Sequence, residues 1–303
     1  MTRPGLDNDY SGENLCFIVG APRSGTTWAQ RLVAYHPKVH TGQESYLFYW
    51  FVGPQLRKWK DELNVVDDIR GGVGLKCYLT EEEFKIALKG YAMALMEPMI
   101  GGLKQGEYFL EKTPLHAFNI MEILELFPKS KFIHIVRDSR GSVASMLQAS
   151  KSWANVRLGD LNTGKAARLW LSHERQIKRA KSKIPPDQYM QLTFEEMAVS
   201  TKATLSKAWS FMGLDFNETL LDESVSRNTA RQIGKTGTKI PVGGEVGKGG
   251  AEFVKEPPGF AKDPTKDSWR HDLSYPQKVQ VWLVTRKMMR ELGYSMRFPI
   301  PWS

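Results

Sequence analysis

The chain has 303 residues, 41% hydrophobic and 25% charged, which suits one large folded unit; nine Trp and fourteen Phe exclude a disordered chain. A net charge of +9 fits an anionic ligand, a nucleic acid, an acidic membrane surface, or solubility alone. No apolar run approaches the ~20 residues of a membrane span, and two cysteines, Cys16 and Cys77, are too few for a disulfide framework or a structural zinc site. With an opening stretch, MTRPGLDNDYSGENL, that lacks an apolar signal region, they predict a reduced, cytoplasmic protein.

Leu15–Gly20 reads as a buried strand, short and apolar, ended by Gly-Ala-Pro, and Thr26–Tyr35 reads as a helix. Glu81–Met99 is a longer helix, with Thr80 and Glu83 spaced as a capping box. Gly106–Pro114 is a second strand. His116–Pro128 is a helix with Ile120, Ile123, Leu124 and Phe127 on one stripe. Lys131–Asp138 is a third strand, Ser139–Ser150 a helix, Tyr189–Met197 a fourth strand and Lys202–Met212 a helix stopped by Gly213. The basic cluster Glu174–Pro186 reads as a solvated helix end. Residues 228–268 are rich in Gly, Pro and Lys, and the helix Tyr275–Leu292 comes after them. Such a segment inside one domain reads as a lid.

Strands alternating with helices predict an α/β fold: a parallel sheet flanked by helices, in a single domain spanning 1–303. Ligands of such sheets bind beyond the strands' carboxyl ends. The polar segments 20–27, 111–116 and 137–145 lie at such ends, so they are expected to converge on one cleft.

The first of these segments is a Gly-rich turn from strand to helix, FIVGAPRSGTTWAQRL. Its backbone N–H groups and the adjoining helix N-terminus form an anion site. It nearly spells the nucleotide-triphosphate loop G-x4-G-K-[ST], but Thr26 stands where the lysine belongs. A cation appears instead at Arg23, within the loop. That pattern fits a phosphate from which a group is transferred directly, without a γ-phosphate bridged by metal.

GAPRSGTTWAQRLV resembles the 5′-phosphosulfate-binding loop of sulfotransferases, and FIHIVRDSRGSVASML resembles their 3′-phosphate-binding segment, with Ser eight residues after Arg. EKTPLHAFNIMEILELFPKSKF is similar to the middle of bacterial and tyrosylprotein sulfotransferases. The motifs run in the family's order over roughly residues 15–150, and SWRHDLS, Ser268–Ser274, is similar to a Trp-Arg/Lys segment near family C-termini.

The resemblance implies a P-loop-type fold and 3′-phosphoadenosine-5′-phosphosulfate (PAPS) as donor, with no metal. It implies that Arg23, Ser24, Gly25, Thr26, Thr27 and Trp28 bind the 5′-phosphosulfate end, with Arg23 reaching the bridging oxygen or sulfate. Arg137 and Ser145 match the 3′-phosphate contacts, and Lys112 of EKTP matches a lysine that touches the transferring sulfate. The histidine of the cytosolic K-T-H pattern is replaced by Pro114, which leaves His116 as one candidate general base. HPKVHTGQESYLF resembles the tyrosylprotein pattern and makes Glu44 the preferred base. The family's substrate-binding Arg, two residues after that Glu, is Tyr46 here.

His36 and His40 are expected to cap or pack a helix end, and His134 to be a core histidine. The aromatic run Glu44–Gly53 fits either core packing or an apolar acceptor pocket. The expected partner is a small-molecule acceptor, with peptide tyrosine or a glycan as alternatives, and neither nucleic acid nor a membrane span is expected. The competing reading is a P-loop nucleotide kinase using ATP and Mg²⁺. A nucleotide-sensing or RNA-binding module is a third, unsupported by any RNA-binding motif.

Overall fold

A computed structural model describes residues 10–61, 74–151, 159–229, 238–241, 251–254, 268–295 and 297. Five strands form one sheet: β1 Leu15–Val19, β2 Val39–Thr41, β3 Tyr108–Glu111, β4 Lys131–Val136 and β5 Tyr189–Thr193. Their order is β2-β3-β1-β4-β5, and every pairing is parallel. The flanking helices are α1 Thr26–Val33, α2 Gly53–Asp61, α3 Glu81–Ile100, α4 Ile120–Leu126, α5 Ser139–Ser150, α6 Thr163–Lys181, α7 Phe194–Val199, α8 Thr201–Met212, α9 Glu218–Arg227, α10 Trp269–Asp272 and α11 Tyr275–Glu291.

The central strand explains the layering. All five residues of β1 are buried, as expected of a parallel strand covered on both faces. Leu15, Phe17 and Val19 point into a core with Phe48, Phe127 and Phe132, while Cys16 and Ile18 join Leu32, Ile133, Leu192 and Trp209 on the other face. Burying a side chain of this size stabilises the fold by about 1.5–3 kcal/mol. A third cluster, built on Trp170 and Val281, locks α5, α6 and α11 together.

The expected α/β parallel sheet with helices on both faces is the fold observed, and some boundaries move. β5 stops at Thr193 rather than Met197, because Thr193 and Glu196 form a capping box that starts α7. The strand expected over Gly106–Pro114 pairs only over Tyr108–Glu111; beyond it Pro114–Phe118 is a 3₁₀ turn that precedes α4. The Thr80–Glu83 capping box and the Gly213 stop, at φ 73°, are both present. β2, α2, α9 and most of α6 carry no expectation from sequence. The basic cluster ends α6, with Lys178, Arg179 and Lys181 exposed. Within the expected lid, β6 Thr238–Pro241 and β7 Ala251–Val254 pair antiparallel; 230–237, 242–250 and 255–267 lie outside the described residues.

Candidate active site

The parallel order brings the carboxyl ends of β1, β3 and β4 to one edge, with β1 between the other two. The loop after β1 is closely packed. A Cβ on Gly20 would fall 2.5 Å from the Ile135 carbonyl oxygen, so only glycine lets β1 leave the sheet this close to β4. Gly25, at φ 94°, has the Phe194 ring where a Cβ would sit, 2.5 Å away. Arg23 adopts a left-handed conformation, φ 65°, at a cost of about 1–3 kcal/mol for a non-glycine residue.

Two cross-links join this loop to the segment after β4. Arg23 Nε donates to Ser145 Oγ at 3.1 Å, and Arg137 donates to the Arg23 carbonyl at 3.0 Å. The Arg137 guanidinium lies over the Phe194 ring at 4.0 Å, and Gly141 leaves room for it: a Cβ there would be 3.1 Å from Arg137 Nε. Trp28 packs edge-on against Phe194 and donates its indole N–H to the Asn228 carbonyl at 2.9 Å. Asp138 caps α5 and is held by Arg140 through Nε and the terminal nitrogen. Arg140 in turn lies 4.1 Å from the Trp269 ring, which ties the Ser268–Ser274 segment to this end of α5. Phe194 and Gly141 are thus part of the site, although sequence reasoning missed both. Phe194 has no motif of its own, and Gly141 is one letter inside Arg-Gly-Ser.

The loop fits an anion. Ser24 Oγ is fully buried and has no hydrogen-bond partner among the described residues. It lies beside the first turn of α1, whose N–H groups have no intrahelical acceptor. Thr26 is buried and Thr27 half-buried at the same turn.

The segments after β2 and β3 form the other half. Lys112 Nζ meets Glu44 Oε1 at 2.5 Å, both groups largely shielded from water. Tyr46 donates its hydroxyl to Glu44 Oε2 at 3.0 Å and stacks on Trp50, with centroids 4.2 Å apart. Gln30, on α1, donates to Thr41 Oγ1 and to the Gly42 carbonyl, fastening this half to the helix of the phosphate loop. Within the aromatic run, Leu47, Phe48 and Val52 are buried in the core, while Trp50 and Phe51 are 57% and 46% exposed.

His116 does not reach this surface. It is fully buried; Nδ1 meets Glu111 at 2.7 Å and Nε2 accepts the Phe48 N–H at 3.2 Å, so both nitrogens are engaged. His134 is buried between the Tyr189 hydroxyl and Glu174, and His36 is buried against Trp209 at the end of α1.

The sequence matches the profile of the Sulfotransferase family over residues 16–218. The chain belongs to the sulfotransferase family. Among its relatives is protein-tyrosine sulfotransferase 2 of Gallus gallus, 25% identical over 232 residues that cover 70% of this chain and 54% of that one. The protein-tyrosine sulfotransferase of Drosophila melanogaster is 24% identical over 211 residues, covering 68% of this chain and 39% of the relative. The chain therefore spans about half the length of these curated relatives. In fold it is similar to the sulfotransferase domain of the Synechococcus PCC 7002 olefin synthase, with a TM-score of 0.58 and 19% identity over 95% of this chain and 98% of that one. It is also similar to mouse sulfotransferase SULT7A1 complexed with PAP, with a TM-score of 0.58 and 14% identity over 95% and 89% of the two chains. Family membership sets aside the nucleotide-kinase alternative. Among the described residues no helix is long and apolar enough to cross a membrane.

Proposed function

We propose that this sulfotransferase moves a sulfuryl group from PAPS to the hydroxyl or amine of a small acceptor. The observation that carries the reading is the interlocked pair of basic phosphate-type segments, Arg23 on Ser145 and Arg137 on the Arg23 carbonyl, at the sheet edge that also holds the Lys112–Glu44 pair. Ser24, Gly25, Thr26, Thr27 and Trp28 would hold the 5′-phosphosulfate end, and Arg137 and Ser145 the 3′-phosphate. Arg supplies a planar fork suited to phosphate oxygens.

When bound, PAPS supplies the sulfuryl group and a phosphate leaving group. Arg23 and Lys112 would meet the charge that grows on the leaving oxygen as its bond to sulfur breaks. Glu44 would take the acceptor's proton. The burial of His116 and the engagement of both its nitrogens support Glu44 over His116 for that role.

The acceptor reading rests on Tyr46, whose phenol already sits on the Glu44 carboxylate, and on the exposed Trp50 ring stacked on it. A flat, uncharged aromatic alcohol suits both. Peptide tyrosine is the second reading; it presents the same phenol, and the relatives are named for it. The reading treats residues 1–303 as one domain with 228–268 as its lid. It includes a cytoplasmic setting, supported by two unpaired cysteines, Cys16 and Cys77.

Titration calorimetry with 3′,5′-adenosine bisphosphate (PAP), beside ATP with Mg²⁺, tests the donor. Micromolar binding of PAP without metal is expected. Binding of ATP·Mg²⁺ alone would overturn the reading. Labelled PAPS offered 4-nitrophenol or a tyrosine peptide then separates the two acceptor classes.

A further inference from the structure

Glu44 lies on a connection, not on a regular element, yet a proton acceptor must be held to within a fraction of an ångström to work. The next stretch of chain has an uncommon backbone: Leu47–Val52 is wound as π-helix, entered through Tyr46 in a left-handed conformation at φ 53°. A helix start leaves successive N–H groups without intrahelical acceptors. Here four in a row are satisfied by side chains. Ser45 N–H donates to Glu111 at 3.2 Å and Tyr46 N–H to Thr113 Oγ1 at 3.4 Å. Leu47 N–H donates to Ser45 Oγ at 3.2 Å and Phe48 N–H to His116 Nε2 at 3.2 Å.

Three of these acceptors come from the end of β3 and the segment beyond it, more than sixty residues away; one of them is the Glu111 carboxylate, and the other three acceptor residues converge on it. Glu111 also accepts from Ser45 Oγ at 2.8 Å, from Thr113 Oγ1 at 2.7 Å and from His116 Nδ1 at 2.7 Å. Because Nε2 accepts from Phe48, the His116 proton is on Nδ1, facing Glu111. Both side chains are sealed from water, Glu111 at 6% and His116 at 0% exposure. Glu111 therefore faces four donor groups, and two of the residues it holds, Ser45 and Thr113, are the immediate neighbours of Glu44 and Lys112.

We infer that Glu111 and His116 are positioning residues: they cap the Leu47–Val52 helix from outside it and thereby fix Glu44 against Lys112. Neither reaches the reacting atoms. The inference rests on the reading of Glu44 as the proton acceptor.

Thr113→Val removes one link with little change of shape, Thr113→Ser restores the hydroxyl, and Glu111→Gln leaves one acceptor oxygen before four donor groups. Two readouts are needed: amide hydrogen exchange at residues 45–48, and release of PAP from PAPS with 4-nitrophenol as acceptor. In Thr113→Val and Glu111→Gln, exchange at 45–48 is expected to speed up and turnover to fall, each by about 10-fold or more, the scale of a broken buried hydrogen bond. PAP affinity should stay within about twofold, since the donor half makes none of these bonds, and Thr113→Ser should behave as wild type. Unchanged exchange in both weakened variants would overturn the clamp. Faster exchange with unchanged turnover would overturn its role in positioning Glu44, and so would a loss of turnover matched by an equal loss of PAP affinity. A wild-type chain that binds PAP but releases none with 4-nitrophenol would sink the small aromatic acceptor instead, and exchange at 45–48 would then decide the clamp by itself.

Discussion

The donor half and the acceptor half of the cleft each contain one strained residue, and they hold it by different means. Among the described residues, Arg23 and Tyr46 are the two non-glycine positions with positive φ. Arg23 sits in a continuous loop, fixed by its own neighbours and by two bonds to the segment after β4. Tyr46 sits between Glu44 and a π-helix, fixed by side chains that the chain supplies sixty-seven residues later. The donor half thus combines a local backbone loop with side-chain bonds to the segment after β4, while the acceptor half is gathered around one buried carboxylate.

The sharpest way to separate the halves is Glu44→Gln. Turnover should fall by roughly 10²–10⁴-fold, the scale of a lost general base, while PAP affinity stays as in wild type. A fully active variant would dissolve the distinction between the two halves.

Acid stability comes next. Burial by itself raises the Glu111 carboxyl, but the hydrogen bonds it accepts from His116, Thr113 and Ser45 hold it below the ordinary value. A depressed folded-state value stabilises the fold above the unfolded value, and that stability is lost as pH falls below about 4.5. Thermal unfolding across this window should show it, and Glu111→Gln should flatten the fall.

A smaller effect belongs to the donor half. Phe194→Leu removes the ring beneath Arg137, an interaction of about 0.5–2 kcal/mol, so PAP should bind roughly 3–30-fold more weakly. Turnover at saturating donor should hold. The smallest is Trp50→Ala. Its stack on Tyr46 contributes about 0.5–1.5 kcal/mol, so the melting temperature should fall by roughly 1–3 °C and the KM for an aromatic acceptor should rise several-fold, with PAP affinity untouched.

The same contrast governs what the sequence revealed. Gly20–Thr27 was legible as an anion loop because such a loop needs its residue types at fixed, short spacings, whereas Arg137 and Ser145 were assigned only through resemblance. The parallel sheet was legible because buried strands are apolar throughout, as in β1. Glu44 and Lys112 were found only through resemblance, since nothing in a single chain announces that positions 68 apart will meet. The Glu111 network was invisible for the same reason: Ser45, Thr113 and His116 are ordinary letters until the sheet brings them together. Phe194 was hidden by a wrong boundary, because a strand drawn through Met197 leaves no room for the capping box that turns its ring onto Arg137.

Under the acceptor reading proposed above, the winding of Leu47–Val52 would make residue count, rather than residue chemistry, the coarse control over what the site accepts. Each residue of an α-helix advances the chain by about 100°. Removing one residue here would restore ordinary winding and swing Trp50 and Phe51 off their present side, with the strands and the phosphate loop untouched. A single-codon deletion is then a route by which one donor chemistry can be redirected to a new class of acceptor.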